Sequence, residues 1–573
     1  MGVLLQGFYF GPGRIAGVPS PLDGDASVSF WWDHLAAQAN AFANAGFTAI
    51  WLPPPLKGAS GSFSSGYDVF DDYDLGAKNQ KGTIPTRYGT REKLQRCAAV
   101  MRANGIDVYV DLVENQRDGD DGHFNFKYLD AFGRDGGGRF AKGPGDFHPH
   151  VPEDPGVFSD QFQFGRDLAP INGTPKDHCS HGLIAAAEWL TRALDLQGYR
   201  LDNAKGVSTV FMQRLLSAGA LANKFAVAEF ADGNTQLIES WANAVQRRSA
   251  AFDFPLHFAL KDMCNNPDSF NMAALDHAGL SGIDPQGAVT FVENHDTDRG
   301  GVGGPIVRNK MLAYAHILTS EGYPCVFYRD YSTDKNCFGL RNQIDRLIQI
   351  HEQLAEGPTQ QRWKDGGVFI FERMGGGHLL VGLNKDPNAS RSITVQTGFP
   401  PNTRLQEFTG HGSGVSTKSD SQVDITIPRN ENGNGYVCYA MPRELRIPAR
   451  APHATTQVYE GAQDLDIKPA LENEKVQVCR IFAEAQTQLQ VQFSFDATGW
   501  TAATAIQLEI DATQGGKMLS HKFGSADSNG STMTARTSGK GFCEIFVQVM
   551  NPPTGNKTPR YKLAMTYTAP KAL

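Results

Sequence analysis

Eight short apolar runs, most of them separated by stretches of helical length, dominate the first 350 or so residues. They are VLLQGFYF (3–10), FTAIWLPPP (47–55), IDVYVDLV (106–113), YRLDN (199–203), KFAVAEF (224–230), AFDF (251–254), AVTFVEN (288–294) and CVFYRD (325–330). Near-continuous apolar strands alternating with helices predict a parallel sheet buried on both faces. Helical patterns occupy 33–45, closed by Gly46, and 90–104, closed by Gly105, then 181–196, 208–222 and 341–355. Eight strands are the number that closes an α/β barrel. The alternative, an open doubly wound sheet, lacks the phosphate-binding glycine fingerprint after every early strand.

The pattern divides the chain. Residues 1–115 and 181–358 read as the two parts of the barrel. They are interrupted after strand three by 116–180, a loop-rich insert (domain B) of Gly, Asp, Pro and aromatics with little helical period. Short alternating strands then predict an antiparallel β domain over 359–445 (domain C). A proline-bearing linker at 446–452 leads to a β-sandwich over 453–573. That last domain reads equally as a structural module or as a carbohydrate-binding one, with Trp500, Tyr459 and Tyr561 as its candidate stacking aromatics.

Composition excludes several classes. The net charge of -8, with no basic patch interleaved with aromatics, argues against nucleic acid and anionic membranes and fits a neutral ligand. No apolar run has the length of a membrane span. No signal peptide precedes the first strand, so the protein is cytosolic or its leader is absent; of the two, secretion is the expectation. The eight cysteines show no C-x-x-C spacing, which argues against a cysteine-based zinc site and favours buried thiols over one or two disulfides. Four N-x-S/T sequons, at Asn172, Asn388, Asn529 and Asn556, do not decide the compartment. His148 and His150 form an H-x-H pair with no evident third ligand and read as loop-surface residues.

Function in such a barrel sits at the carboxyl ends of the strands. Those ends carry Asp111 and Asn115 (strand three), Arg200 and Asp202 (strand four), Glu229 (strand five), and His295 and Asp296 (strand seven). Arg200 and Asp202 are two apart, so they share a strand face, where the guanidinium can hold the carboxylate ionised. An ionised carboxylate facing a protonated one is the requirement of a retaining glycosidase.

At these residues the chain resembles the α-amylase family of glycoside hydrolases (family 13), close to the bacterial liquefying type. GYRLDNAKG (198–206), AEF (228–230) and FVENHDT (291–297) are similar to that family's strand-four, strand-five and strand-seven motifs, and DLVENQ (111–116), less closely, to its strand-three motif. GYDVFDDYDLG (66–76), QKGTIPTRYGT (80–90) and ILTSEGYPCVFY (317–328) also look like this family. The motifs occur in order over about residues 1–445.

The resemblance implies a (β/α)8 TIM barrel and an endo-acting, retaining hydrolase of α-1,4-glucosidic bonds in starch and maltooligosaccharides. It implies Asp202 as nucleophile, Glu229 as acid/base and Asp296 as transition-state stabiliser. Tyr67, Gln116, Arg200, Lys205 and His295 would contact the sugar. It also implies a Ca2+ ion held by Asn115, Asp167 and the backbone at Gly206. We expect a monomer. The chain departs from the family at Gln116 and Gly206, where histidines are usual, and at Asn203, where a small apolar residue is. These changes flank the cleavage point, so a related transglycosylase or short-oligosaccharide enzyme, or a weakly active starch-binding protein, are the alternative readings.

Overall fold

The computed structural model describes residues 2–10, 30–120, 123–129, 139–159, 164–171, 177–461, 472–512, 516–555 and 558–573. The sequons at Asn172 and Asn556 and parts of the 116–180 insert fall outside them. Eight parallel strands close into a barrel. In chain order they are β1 (Leu4–Gln6), β2 (Ala49–Leu52), β3 (Asp107–Leu112), β4 (Gly198–Leu201), β5 (Phe225–Ala228), β6 (Ala250–Phe252), β7 (Ala288–Phe291) and β8 (Tyr323–Phe327). Each pairs with its sequence neighbours, and β8 returns to β1.

Every strand is shorter than its apolar run. After β4, Asp202 and Asn203 form a turn, and after β8 residues Tyr328–Tyr331 coil into one helical turn. Phe8, Tyr9 and Phe10 stay buried beyond the end of β1. The helices that carry the crossovers begin with α1 (Trp31–Ala45), α2 (Arg91–Ala103), α3 (His178–Leu194) and α4 (Thr209–Ser217). Gly46 and Gly105 follow α1 and α2 at φ 111° and 72°, a backbone that only glycine adopts cheaply. Three further helices escaped the sequence pattern: α5 (Thr235–Ala244), α6 (Phe254–Asn265) and α7 (Lys310–Ile317). The last is buried at every position, so it has no polar stripe to mark its period. Its successor α8 (Arg341–Leu354) is amphipathic and was legible.

The chain groups into two compact units. One comprises residues 1–17, 42–51 and 226–449; the other comprises 18–41, 52–225 and 450–573. In the first, the β domain after α8 is a six-stranded sheet with an additional two-stranded antiparallel sheet of Arg391–Gln396 and Gln422–Ile427. Its core includes Ile370, Leu380, Ile425 and Val437. Arg373 anchors it by donating through Nη1 to the carbonyls of Thr319 (2.9 Å) and Ser320 (2.6 Å), past the end of α7.

In the second unit the terminal domain is a sandwich of two four-stranded sheets. It docks on α2 and α3. Gln457 Nε2 donates to the Gln95 carbonyl (2.8 Å), Thr455 and Thr456 donate to Asp195 Oδ2, and Asn104 Nδ2 donates to the Lys571 carbonyl (2.9 Å). The guanidinium groups of Arg480 and Arg96 lie over the Phe542 ring at 3.7 and 5.4 Å. Two of its three candidate stacking aromatics, expected to be exposed, are corrected: Tyr459 and Tyr561 are buried, at 1% and 3% exposed. The apolar face of each ring is spent on packing. Trp500 is half-buried and stacked on Phe495 at 5.0 Å.

Among the described residues no helix is long and apolar enough to cross a membrane. All eight cysteines are free thiols, six of them buried.

Candidate active site

Parallel pairing of β3 with β4 sets Asp111 beside Arg200. Both side chains are buried, and Arg200 Nη1 donates to Asp111 Oδ1 at 2.7 Å and to Asp202 Oδ1 at 2.6 Å. One guanidinium nitrogen thus orients two carboxylates by charge-assisted hydrogen bonds. Tyr67 donates its hydroxyl to the remaining oxygen of Asp111 at 2.8 Å. Tyr67 is 5% exposed, its ring centroid 6.2 Å from that of Phe164, which is 47% exposed.

Gln116 is buried, and its amide donates to the Tyr67 carbonyl at 3.1 Å. Lys205 is half-buried; its carbonyl accepts from the backbone nitrogens of Phe158 (2.9 Å) and Ser159 (3.1 Å), which ties the insert to the turn after β4.

The other unit presents Glu229, half-buried directly after β5, and the turn after β7. Asn294 Oδ1 accepts from the backbone nitrogens of Asp296 and Thr297, both at 2.9 Å, and so shapes that turn. His295 is buried against Phe8 and Phe10, with ring centroids 5.0 and 5.3 Å away. Gln6 Nε2 donates to its Nδ1 at 3.0 Å, which leaves the Nε2 proton facing Asp296 Oδ2 at 3.4 Å.

Behind the turn lies a buried group that sequence reading did not single out. Glu293 accepts from Lys310 Nζ (3.0 Å), from the Ile306 backbone nitrogen (2.9 Å) and from Thr297 Oγ1. Lys310 also ion-pairs with Asp330 at 2.7 Å. Burial pushes the Glu293 carboxyl up to about 7 against the pull of Lys310, with Asp330 pushing the same way as burial. Glu293 precedes Asn294 in the strand-seven motif, but Lys310 sits on the uniformly buried α7, so nothing in the sequence pointed to the pair.

The insert builds a third cluster. Gln116–Arg117 pairs antiparallel with Arg166–Asp167, placing Gln116 opposite Asp167. The backbone nitrogen of Leu168 donates to the Asn115 carbonyl (2.9 Å), and that of His148 donates to the Asp167 carbonyl (3.0 Å). Asn115, Asp167 and Gly206 line one small pocket, together with His148 and Asp154. Asn115 is 1% exposed, yet neither its Oδ1 nor its Nδ2 has a hydrogen-bond partner. A Cβ on Gly206 would lie 2.0 Å from Asn115 Oδ1. A histidine at this position would therefore collide with the amide unless Asn115 moved.

The surface reading of His148 is corrected: it is 6% exposed and belongs to this pocket, because the strand pairing of the insert draws its backbone inward. His150 is exposed, as expected, and packs edge-on against Phe124.

No family model matches the chain. Individual proteins do. It is 29% identical over 524 residues to an α-amylase from Geobacillus stearothermophilus, covering 79% of this chain and 93% of that one. It is 28% identical over 459 residues to a glucan 1,4-alpha-maltohexaosidase from Bacillus sp. (strain 707), covering 70% and 84%. In sequence the chain is similar to the α-amylase family.

It is accordingly a glycoside hydrolase-type enzyme. Another member of this set of relatives, a cyclomaltodextrin glucanotransferase from Bacillus sp. (strain 1-1), is 25% identical over 397 residues, or 63% of this chain and 55% of that one. The fold is likewise that of α-amylase family enzymes. The crystal structure of a gamma-CGTase from Alkalophilic bacillus clarkii superposes with a TM-score of 0.57 at 17% identity, over 97% of this chain and 94% of that one.

Proposed function

We propose that this enzyme is a retaining, endo-acting hydrolase of α-1,4-glucosidic bonds in starch and maltooligosaccharides. The observation that carries the reading is the Arg200 bridge, which orients the Asp202 carboxylate just past the end of β4. Asp202 attacks the anomeric carbon as Glu229 gives its proton to the departing glycosidic oxygen. Glu229 then takes a proton from water, the water oxygen attacks the same carbon, and Asp202 leaves. The reading requires the two carboxyl groups to stand about 5–5.5 Å apart across the bond.

Asp296 steadies the positive charge of the distorted ring, and the His295 Nε2 proton binds a sugar hydroxyl. Tyr67 stacks on the sugar at the cleavage point, while Gln116 and Lys205 line the flanking subsites. The test follows reducing ends released from soluble starch. A wild type no faster than Asp202→Asn would remove the assignment.

The unpartnered buried amide of Asn115, Asp167 in the same pocket, and the space kept open by Gly206 fit a Ca2+ ion, which takes oxygen ligands. When bound, the ion would tie domain B (116–180) to the barrel parts 1–115 and 181–358.

A second reading is transglycosylation, in which a sugar hydroxyl replaces water in the second step. It is favoured by the glucanotransferase relative and by Gln116 and Gly206 beside the cleavage point. Longer products appearing with time would support it over hydrolysis. Binding of starch by the terminal sandwich would rest on the half-buried Trp500, since Tyr459 and Tyr561 are buried.

A further inference from the structure

We propose that the pocket formed by Asn115, His148 and Asp167 holds its cation through an imidazole nitrogen as well as oxygens, with His148 Nε2 as a ligand. It would then accept a borderline divalent metal such as Zn2+, and bind Mn2+ with the added nitrogen, where an all-oxygen site would hold Ca2+. The inference rests on the reading above that a cation binds here.

Three observations carry it. First, one ligand atom from each of His148, Glu153 and Asp167 lies within 4.8 Å of the others, close enough for one ion to touch all three. Second, the ring is already in the right tautomer. His148 Nδ1 lies 2.9 Å from the Val151 carbonyl, which can only accept, so Nδ1 carries the proton and Nε2 offers a lone pair. That backbone contact is the outer-shell bond by which proteins aim a metal-binding histidine. Its Nε2 has Asp154 Oδ1 at 3.9 Å, beyond hydrogen-bonding distance, so an imidazole lone pair faces carboxylates in a buried space.

Third, the Asn115 side chain is buried, lines the same pocket and has no hydrogen-bond partner. A buried amide oxygen without a partner is costly, and a cation on Oδ1 would satisfy it.

The backbone fixes these groups relative to one another. His148 donates to the Asp167 carbonyl, Leu168 donates to the Asn115 carbonyl, and Phe147 bridges to Leu168. Glu153 alone among the donors is exposed, which leaves a side open for an ion to enter. Calcium takes six to eight oxygens, whereas imidazole suits Zn, Cu, Fe and Ni and raises affinity for first-row divalent metals generally. The H-x-H pair in the sequence is thus half a ligand set. His148 is drawn in, and the partners it lacks locally come from five residues on and from the strand at 166–167.

The experiment titrates chelator-stripped protein separately with Ca2+, Mn2+ and Zn2+ by calorimetry. It compares wild type, His148→Asn and Asn115→Ala, with circular dichroism confirming that each is folded. Electron spin-echo spectroscopy of bound Mn2+ reads nitrogen coupling directly. The expected result is that His148→Asn weakens Mn2+ and Zn2+ about tenfold or more, changes Ca2+ by less than about threefold, and abolishes a nitrogen coupling present in wild type.

If Asn115→Ala loses cations while His148→Asn leaves every affinity and the spectrum unchanged, the site stands and the role of His148 is overturned. If wild type binds none of the three ions, or all three proteins bind them equally, the cation site itself is overturned.

Discussion

Gln116 donates its side-chain amide to the backbone carbonyl of Tyr67 at 3.1 Å. This residue stands where the resemblance leads one to expect a histidine, and it holds the backbone of the residue proposed to stack on the sugar. From Tyr67 the connection continues through its hydroxyl to Asp111 and from Asp111 to Arg200. Gln116→Glu keeps the shape and removes the donor. It should lower stability by about 1–3 kcal/mol, because a buried carbonyl loses its partner and faces a carboxylate. Thermal unfolding checks this loss; because the Tyr67 backbone also shifts, KM on maltooligosaccharides should rise more than kcat falls.

Arg200 serves two carboxylates from one nitrogen, a geometry lysine does not reproduce because its ammonium is a point charge on a flexible stem. Arg200→Lys should leave Asp111 or Asp202 incompletely paired in a buried site and cost several kcal/mol, about 3–5 if one pair is broken outright. Loss of kcat should exceed about a hundredfold, measured as initial rates on starch. Full activity in Arg200→Lys would show that orientation of Asp202 does not depend on the bridge.

The Glu293 carboxyl supplies a pH dependence. Its folded value is raised from 4.5 to about 7, so the native state holds a proton that the unfolded chain has released. The stability that proton brings is present below about 4.5 and is lost as pH rises through about 7. Glu293→Gln removes this term. The difference in melting temperature between variant and wild type should therefore shift in the variant's favour as pH increases from 4.5 to 7. Parallel melting curves across that range would count against a buried, proton-retaining Glu293. Because Thr297 and Asn294 join Glu293 to the Asp296 turn, the kcat profile should change over the same interval.

The terminal sandwich covers α2 and α3 through Gln457, Thr455, Thr456 and Phe542. Removing residues 450–573 should expose that helix face and lower the yield of soluble protein and its melting temperature. It should not simply subtract starch binding. Phe542→Ala, which deletes the ring beneath Arg480 and Arg96, should cost a measurable part of that stability, less than the roughly 3 kcal/mol of a core phenylalanine because Phe542 is half-buried. An intact, equally stable truncated protein would contradict the docking role.

Much of the fold was readable before the structure. Apolar runs of four to eight residues report burial on both faces, and burial of that kind belongs to a parallel barrel. The strand boundaries were read too long because hydrophobicity marks burial and not ladder hydrogen bonds, as Phe8 to Phe10 show. The helix α7 was missed because a helix buried all round leaves no period.

The site was readable where a motif is local. Arg200 and Asp202 are two residues apart, and the contact between them follows from the pleat. Asp111 was noted at its strand end, but its bond to Tyr67 spans 44 positions, and no spacing rule reaches that far.

Sequence alone determined the barrel, its order of strands and the identity of the acidic residues at their ends, because these depend on short-range periodicity and on neighbours along the chain. Tertiary structure decided which groups face one another. It drew His148 out of solvent to Asp167 and left the Asn115 amide without a partner beside Gly206. It also turned Tyr459 and Tyr561 inward and set Lys310 beneath the Asp296 turn. Those outcomes depend on loop closure and on the pairing of segments far apart in the chain, and the energy of each belongs to both partners, so neither segment's own pattern records it.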